Sequence, residues 1–233
     1  MSSAELIPTK TRNILMLIPL FGILVFVCLY FAATLYYPGG SQANANEKGF
    51  SWLNNYWCNL LNDKAMNGQT NAAKPIAVIA MVVLCVTLAN FCYIFPKQLQ
   101  LNKSHRLTVQ ISGMAAMAIA IFLFTNFHDL VINIASLFAF IAIIGMFVGL
   151  YKQKWSGLFW LGTFNILLVV LNNILYYGKG LKLYLPVVQK ITFLFFLIWI
   201  CLIDIKLYNK SSYNNIFSID LKPSAAGSCS HKI

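Results

Sequence analysis

Residues 130–151 of the chain read LVINIASLFAFIAIIGMFVGLY, a run without any charged side chain. An α-helix of about 20 apolar residues is long enough to cross the hydrocarbon core of a bilayer. The run is therefore typical of a transmembrane helix, and five similar runs accompany it. The six predicted transmembrane helices cover residues 13–37, 75–95, 107–125, 130–151, 156–177 and 184–206.

The composition of the whole chain agrees with this pattern. Of the 233 residues, 59% are hydrophobic and 10% are charged, whereas soluble domains carry about 25% charged residues. The fold class that we predict is all-α, a polytopic helical bundle in a membrane. Because the six helices use most of the chain, we expect a single domain over residues 1–206 and a polar cytoplasmic tail over residues 207–233.

Lysine and arginine are distributed unequally between the two sides of such a bundle. One side collects Lys10, Arg12, Lys97, Lys103, Arg106, Lys152, Lys154, Lys206, Lys210, Lys222 and Lys232, and the other collects Lys48, Lys64, Lys74, Lys179 and Lys182. Since cytoplasmic loops carry the excess of basic residues, we expect both termini in the cytoplasm. The long loop over residues 38–74 then lies outside. The expected location is the cell membrane, specifically a bacterial inner membrane.

Several classes of function do not fit these residues. The formal net charge is +11, but the basic residues lie singly or in small groups at the ends of the apolar runs, where lipid head groups and topology use them. We therefore expect membrane lipids as partners and no nucleic acid. The three histidines, His105, His128 and His231, fall on different sides, so a three-His zinc site is not expected. No P-loop, dinucleotide-binding or hydrolase motif occurs, and we expect no metal and no cofactor.

Small residues within the fourth predicted helix indicate close packing. Gly145 and Gly149 form a GxxxG pair, and such spacing lets helices approach each other closely in lipid. We interpret the pair as a packing surface between helices. A single GxxxG pair is a weak indicator of dimerisation, so the oligomeric state is left open.

The long loop contains an amphipathic segment over residues 50–64. Its apolar side chains recur at the spacing of one face of an α-helix, at Leu53, Tyr56, Trp57, Leu60 and Leu61. Polar side chains lie away from that face, at Asn55, Asn59, Asn62 and Asp63. We predict one amphipathic helix that lies on the outer membrane surface and is anchored by its Trp and Tyr side chains.

The turn over residues 125–129 lies on the same outer side and carries His128 and Asp129. These two could act as a base and its orienting carboxylate, or as a proton-sensitive gate. The alternative is structural, because Asn and Asp are frequent where helices start. The candidate catalytic residues are His128, Asp129 and Asp63, and the candidate ligand-binding residues are Asn59, Asn62, Asn126, Trp57 and Lys190.

Two charged residues fall inside the last predicted helix. Lys190 lies six residues from the outer end, roughly 9 Å by the helical rise. Its stem can extend to the outer interface, or its charge can face a water-filled cavity. Asp204 lies near the inner end, where we expect its carboxylate to reach water.

Part of the sequence is similar to a known family. The residues that carry the likeness are NYWCNLL over 55–61, Asn67, Gly68, Asn71, PIAVIAM over 75–81 and His128. Together with six spans over residues 12–206, they resemble a prokaryotic membrane family known only as a domain of unknown function (number nine-nine-eight). The resemblance implies a six-helix membrane protein and no particular activity. The family motif has Asp where this chain has Asn59, so no catalytic carboxylate is implied there.

The leading hypothesis is a membrane protein that binds a lipid or another small ligand at its outer face. It rests on the expected convergence of the aromatic loop segment with the turn at His128. A lipid-modifying enzyme that uses Asp63, His128 and Asp129 is the first alternative. A small transporter, with Lys190 and Asn172 along its path, is the second.

Overall fold

The computed structural model describes residues 16–125, 127–178 and 180–220, with side chains through residue 211. This part of the chain contains six long helices and no β-strand. The helices are α1 (Ile18–Leu35), α2 (Lys74–Gln98), α3 (Lys103–Ala120), α4 (His128–Lys152), α5 (Ser156–Tyr177) and α6 (Leu185–Asp220). Each is long and apolar enough to cross a membrane. The predicted all-α bundle of a multi-pass membrane protein is confirmed.

The clearest differences from the predicted spans are in α3 and α6. Helix α3 begins at Lys103 instead of residue 107, and the end of this predicted span is a 3-10 helix, Ile121–Phe124. Helix α6 continues past residue 206 to Asp220. Residues 207–220 contain no Gly or Pro, the two residues that most strongly disfavour a helix. The helix can therefore continue where the composition becomes polar. The buried Leu207 also keeps this segment against the bundle. The predicted start of the first span, at residue 13, lies outside the described residues.

The helices pack largely in chain order. Helices α1 to α4 each pack on the next, α5 packs on α6, and α6 also contacts α1. We call the end that carries residues 36–73 the long-loop end, and the end that carries residues 99–102 and 153–155 the short-loop end. The rings of Phe147 on α4 and Phe159 on α5 pack 5.0 Å apart near the short-loop end.

The GxxxG pair packs inside the chain. A Cβ atom at Gly145 would lie 2.3 Å from Cγ2 of Val109 on α3, and one at Gly149 would lie 2.9 Å from Cδ1 of Leu99. Because Val109 is fully buried, it has little room to give way. Gly145 therefore lets α4 approach α3 closely, and Gly149 lets it approach the end of α2, so the pair is a packing surface between helices, as its spacing predicts.

Asp204 does not reach water, and the expectation that it would is wrong. Its residue is 0% exposed, and neither carboxylate oxygen has a hydrogen-bond partner among the described residues. The backbone N–H of Leu20, in the first turn of α1, is close enough for a weaker electrostatic interaction with this carboxylate. The free N–H groups of a helix start carry partial positive charge, which favours a carboxylate there. Position along α6 alone could not show this, because it is the packing of α1 that covers the side chain.

Candidate functional site

The segment over residues 50–64 is not an α-helix, so that prediction is wrong. It contains one short 3-10 helix, Trp57–Leu61. Asn55 Oδ1 accepts the Ser51 backbone N–H at 2.8 Å, and Asn59 Oδ1 accepts the Tyr56 N–H at 2.6 Å. Asparagine side chains that bind nearby backbone groups in this way compete with helical hydrogen bonds.

The loop also turns its polar side chains inward. Asn55 and Asn59 are buried, whereas Leu53 is 67% exposed, which is the opposite of the predicted faces at these positions. Leu60 and Leu61 are buried as predicted. The loop therefore folds into the end of the bundle instead of lying flat on a membrane surface.

Asn71 holds the loop together from inside. Its Nδ2 donates to the carbonyls of Asn59, Leu60 and Asn62 at 3.1, 3.1 and 2.8 Å. Its Oδ1 accepts the N–H of Ala73 at 3.1 Å. Since Asn71 is only 3% exposed, these bonds form away from water. The 3-10 helix is thereby tied to the start of α2.

Lys190 and Trp57 attach the loop to the helices. The Lys190 ammonium donates to the Asn55 carbonyl and, at 2.9 Å, to the Pro186 carbonyl. The Trp57 ring stacks on Tyr30 of α1 with ring centres 4.6 Å apart. The Lys190 stem therefore extends towards the long-loop end, the first of the two predicted alternatives, but its charge is bound by protein. Trp57 packs against the bundle and is not an anchor in lipid.

A cavity of about 690 Å³ lies beneath this loop, within the size range of small-molecule sites. It lies between the 3-10 helix, the first turns of α4, the last turns of α5 and the start of α6. The residues around it are Tyr56, Cys58, Asn59, Asn62, His128, Asp129, Ile132, Asn133, Asn172, Asn173, Tyr176, Tyr177, Leu185 and Gln189. Two separately predicted groups, the loop asparagines and the turn residues, therefore meet at one cavity.

Not every predicted site residue lines the cavity. His128, Asp129, Asn59 and Asn62 do, whereas Asp63, Trp57 and Lys190 do not. The Asp63 carboxylate instead pairs with the Lys74 ammonium. Asn126 lies outside the described residues.

Four polar residues that line the cavity were not among the candidate ligand-binding residues, because amides within spans commonly join helices. They are Asn133, Asn173 and Gln189, together with Asn172, which the sequence suggested only for a transport path. All of them lie four or five residues from the helix ends at Leu185, His128 and Tyr177, about 6–8 Å deep by the helical rise. Their equal depth on neighbouring spans was the feature that could have identified them.

His128 and Asp129 form the charged part of the rim. His128 Nδ1 lies 3.3 Å from Asp129 Oδ1, while Nε2 is buried without a partner among the described residues. The Asp129 side chain is 91% exposed and lies in the first turn of α4, where a carboxylate favours the helix start. The pair fits both predicted roles, a base with its orienting carboxylate and a stabilised helix start. No group of three or more His, Cys, Asp or Glu among the described residues could hold a metal ion.

The cavity wall formed by the loop is uncharged. Burial raises the pKa of the Cys58 thiol, and burial together with the neighbouring Tyr176 raises the pKa of the Tyr56 phenol. Both groups therefore keep their protons at neutral pH. A protonated thiol is a poor nucleophile, so Cys58 contributes polar surface to this wall.

We expect slow alkylation of Cys58. In a variant that retains only this thiol, reaction with a maleimide at pH 7.5 should be slower than that of a thiol introduced by Ala43→Cys in the same cysteine-free background, because the raised pKa lowers the thiolate fraction of Cys58. Ala43 is exposed in the same loop. The rate should still increase with pH above pH 9. Equal rates at the two positions would show that Cys58 is freely accessible and ordinary in acidity.

Comparison of the chain with protein-family models, curated proteins and solved structures finds no match. The resemblance to the six-helix family described above stays a prediction from the motif. The structure itself shows the helices of a multi-pass membrane protein and an amide-rich cavity at the long-loop end.

Proposed function

We propose that this membrane protein binds a lipid, with the polar head group of the lipid in the cavity. The observation that carries the proposal is that the cavity lies between α4 and α5, within two turns of the ends of these two apolar helices. These helices pack on each other near the short-loop end, through Phe147 and Phe159, whereas Ile132 and Asn133 of α4 and Asn172 and Asn173 of α5 line the cavity between them. The route that we propose for the lipid is between these two helices.

The polar residues of the cavity support a lipid as the occupant. Asn133 and Asn173 are exposed on helices whose other exposed residues are mostly apolar. A polar group that faces hydrocarbon without a partner is costly. At about 6–8 Å from the helix ends, both amides lie near the depth at which head groups join acyl chains. Asn173 Nδ2 donates to the Val169 carbonyl at 2.9 Å, so a bound head group would supply partners for Asn173 Oδ1 and for the Asn133 amide, while Ile132 beside them meets the acyl chain.

Each alternative loses one of the residues on which it depended. The enzyme hypothesis combined Asp63 with His128, but Asp63 pairs with Lys74 and does not line the cavity. The transporter hypothesis placed Lys190 along a path, but its ammonium binds two backbone carbonyls. Lipid binding requires neither residue.

Lipid retention tests the proposal. Protein purified in a mild detergent should carry a lipid that native mass spectrometry detects, and the double variant Asn133→Leu, Asn173→Leu should lose most of it. Ser136→Leu is the matched control, because Ser136 is exposed on α4 but does not line the cavity. The proposal is wrong if the double variant retains the same lipid in the same amount as the control.

We further propose that the long-loop end faces away from the cytoplasm of a bacterial cell, with the protein in the inner membrane. The uneven distribution of Lys and Arg supports this orientation, because positive loops stay inside. A reporter enzyme that is active only outside the cytoplasm should be active when inserted after Ala43 and inactive when fused after Ile233. The reverse result would overturn the orientation.

A further inference from the structure

The amides of the cavity offer both donors and acceptors, which indicates the chemistry of the head group. Asn172 on α5 uses both of its N–H groups, on the Leu168 carbonyl at 2.8 Å and on Thr192 Oγ1 at 2.5 Å. The Thr192 hydroxyl donates to Val188 at 2.8 Å, so its oxygen has to accept from Asn172. The free polar atom of Asn172 is therefore Oδ1, an acceptor.

The loop side of the cavity presents a donor at Asn59. Its Oδ1 accepts the Tyr56 N–H at 2.6 Å, and its amide N–H groups bind no other described residue. Gln189 is not a free donor, because its Oε1 accepts the Trp57 N–H at 3.3 Å and its side chain also hydrogen-bonds to Cys58. A group that meets both Asn172 and Asn59 must donate to the first and accept from the second, as a hydroxyl does.

Charge argues against a phosphate in the same place. Proteins recognise phosphate mainly through Arg and Lys, and no Arg or Lys is found among the described residues that line the cavity. The Lys182 ammonium lies 5.1 Å from the ring centre of Tyr176, but Lys182 does not line the cavity. The charged residues that line the cavity are Asp129, which would repel an anion, and His128 when protonated.

We propose that the cavity selects an uncharged head group rich in hydroxyls, that is, the sugar or polyol of a glycolipid. This inference rests on the proposed lipid binding. A hydroxyl can accept from the Asn59 amide and donate to Asn172 Oδ1. The phenol rings of Tyr176 and Tyr177 add apolar faces against which the C–H groups of a sugar ring can pack.

Competition between defined lipids tests the proposal. Full-length protein in detergent is titrated with glucosyl diacylglycerol, phosphatidylglycerol and phosphatidylethanolamine of identical acyl chains, and with methyl glucoside as the free sugar. We expect glucosyl diacylglycerol to bind at least about tenfold more tightly than either phospholipid, since a site built to hydrogen-bond hydroxyls discriminates against ligands without them. Raising NaCl from 50 to 500 mM should change this affinity less than about twofold, because no charge pair is screened.

Asn172→Leu separates the head-group inference from lipid binding. The variant should lose the preference for the glycolipid but still bind diacylglycerol lipids, whereas Ser136→Leu should keep the preference. Tighter, salt-sensitive binding of phosphatidylglycerol would overturn the head-group inference and leave lipid binding intact. Equal affinity for methyl glucoside and the glycolipid would support hydroxyl recognition and overturn the lipid as its source. Binding of none of the probes would overturn both proposals.

Discussion

Replacing Asn71 by leucine is expected to release the long loop and to lower the free energy of unfolding by about 3 kcal/mol, since each buried polar group left unpaired costs about 1–3 kcal/mol. The change removes the donor to three carbonyls and the acceptor for the Ala73 N–H. The melting temperature in detergent should decrease. Trypsin should cleave faster after Lys48 and Lys64, both exposed in the loop.

Two further variants show whether the hydrogen bonds of Asn71 cause this effect. Asn67→Leu is the control, because Asn67 is in the same loop and its side chain accepts one local bond, from the Gln69 N–H at 3.0 Å. It should change stability by less than about 1 kcal/mol. Asn71→Asp has nearly the same shape but no N–H₂ group, so it should be as destabilising as Asn71→Leu. A stable Asn71→Asp variant would contradict the role given to the amide.

Replacing Lys190 by methionine is expected to detach the loop from α6 without unfolding the helices. The ammonium binds the Asn55 carbonyl in the loop and the Pro186 carbonyl on α6. Hydrogen bonds to charged groups contribute about 1.5–3 kcal/mol, so opening of the loop should become about tenfold more frequent or more. Tryptic cleavage after Lys48 should accelerate by that factor, while the helical circular dichroism signal stays the same.

Lys182→Met serves as the control for Lys190→Met. Lys182 is exposed at the same end of the bundle, and its ammonium lies over the Tyr176 ring instead of binding the loop. Its replacement should leave cleavage after Lys48 unchanged. If both variants accelerate cleavage equally, the effect comes from the loss of positive charge in general, and the bond to Asn55 does not hold the loop.

The sequence was sufficient for the six spans but not for the loop between the first two. A run such as 130–151 has few alternatives, because a long segment without charges satisfies its backbone in lipid only as a helix. In residues 50–64 the helical spacing of Tyr56 and Leu60 competes with asparagine side chains that bind backbone groups. Asn55 Nδ2 donates to the Gly40 carbonyl at 2.9 Å, fifteen residues away in the sequence. The local spacing of apolar residues cannot predict such a distant contact.

The sequence could predict which site residues lie on the same side of the membrane, and only for that reason that they lie near one another. His128 and Asn59 were expected on one side, and the structure places both at the same cavity. Asp63 was expected there for the same reason, but its pairing with Lys74 depends on how α2 begins below the loop. Gln189 was not among the candidates, because its part in the cavity depends on the loop that folds over it.

The length of α6 has a mechanical consequence. Its 36 residues form a rod of about 54 Å at 1.5 Å per residue, whereas the hydrocarbon core is only about 30 Å thick. One end of this rod, at Leu185 and Gln189, borders the cavity, and the other end projects beyond the short-loop end. A tilt of about 10° would displace one tip relative to the other by about 9 Å over that length. The cavity and the projecting tip are thus connected by one continuous helix, so a tilt of α6 would move both.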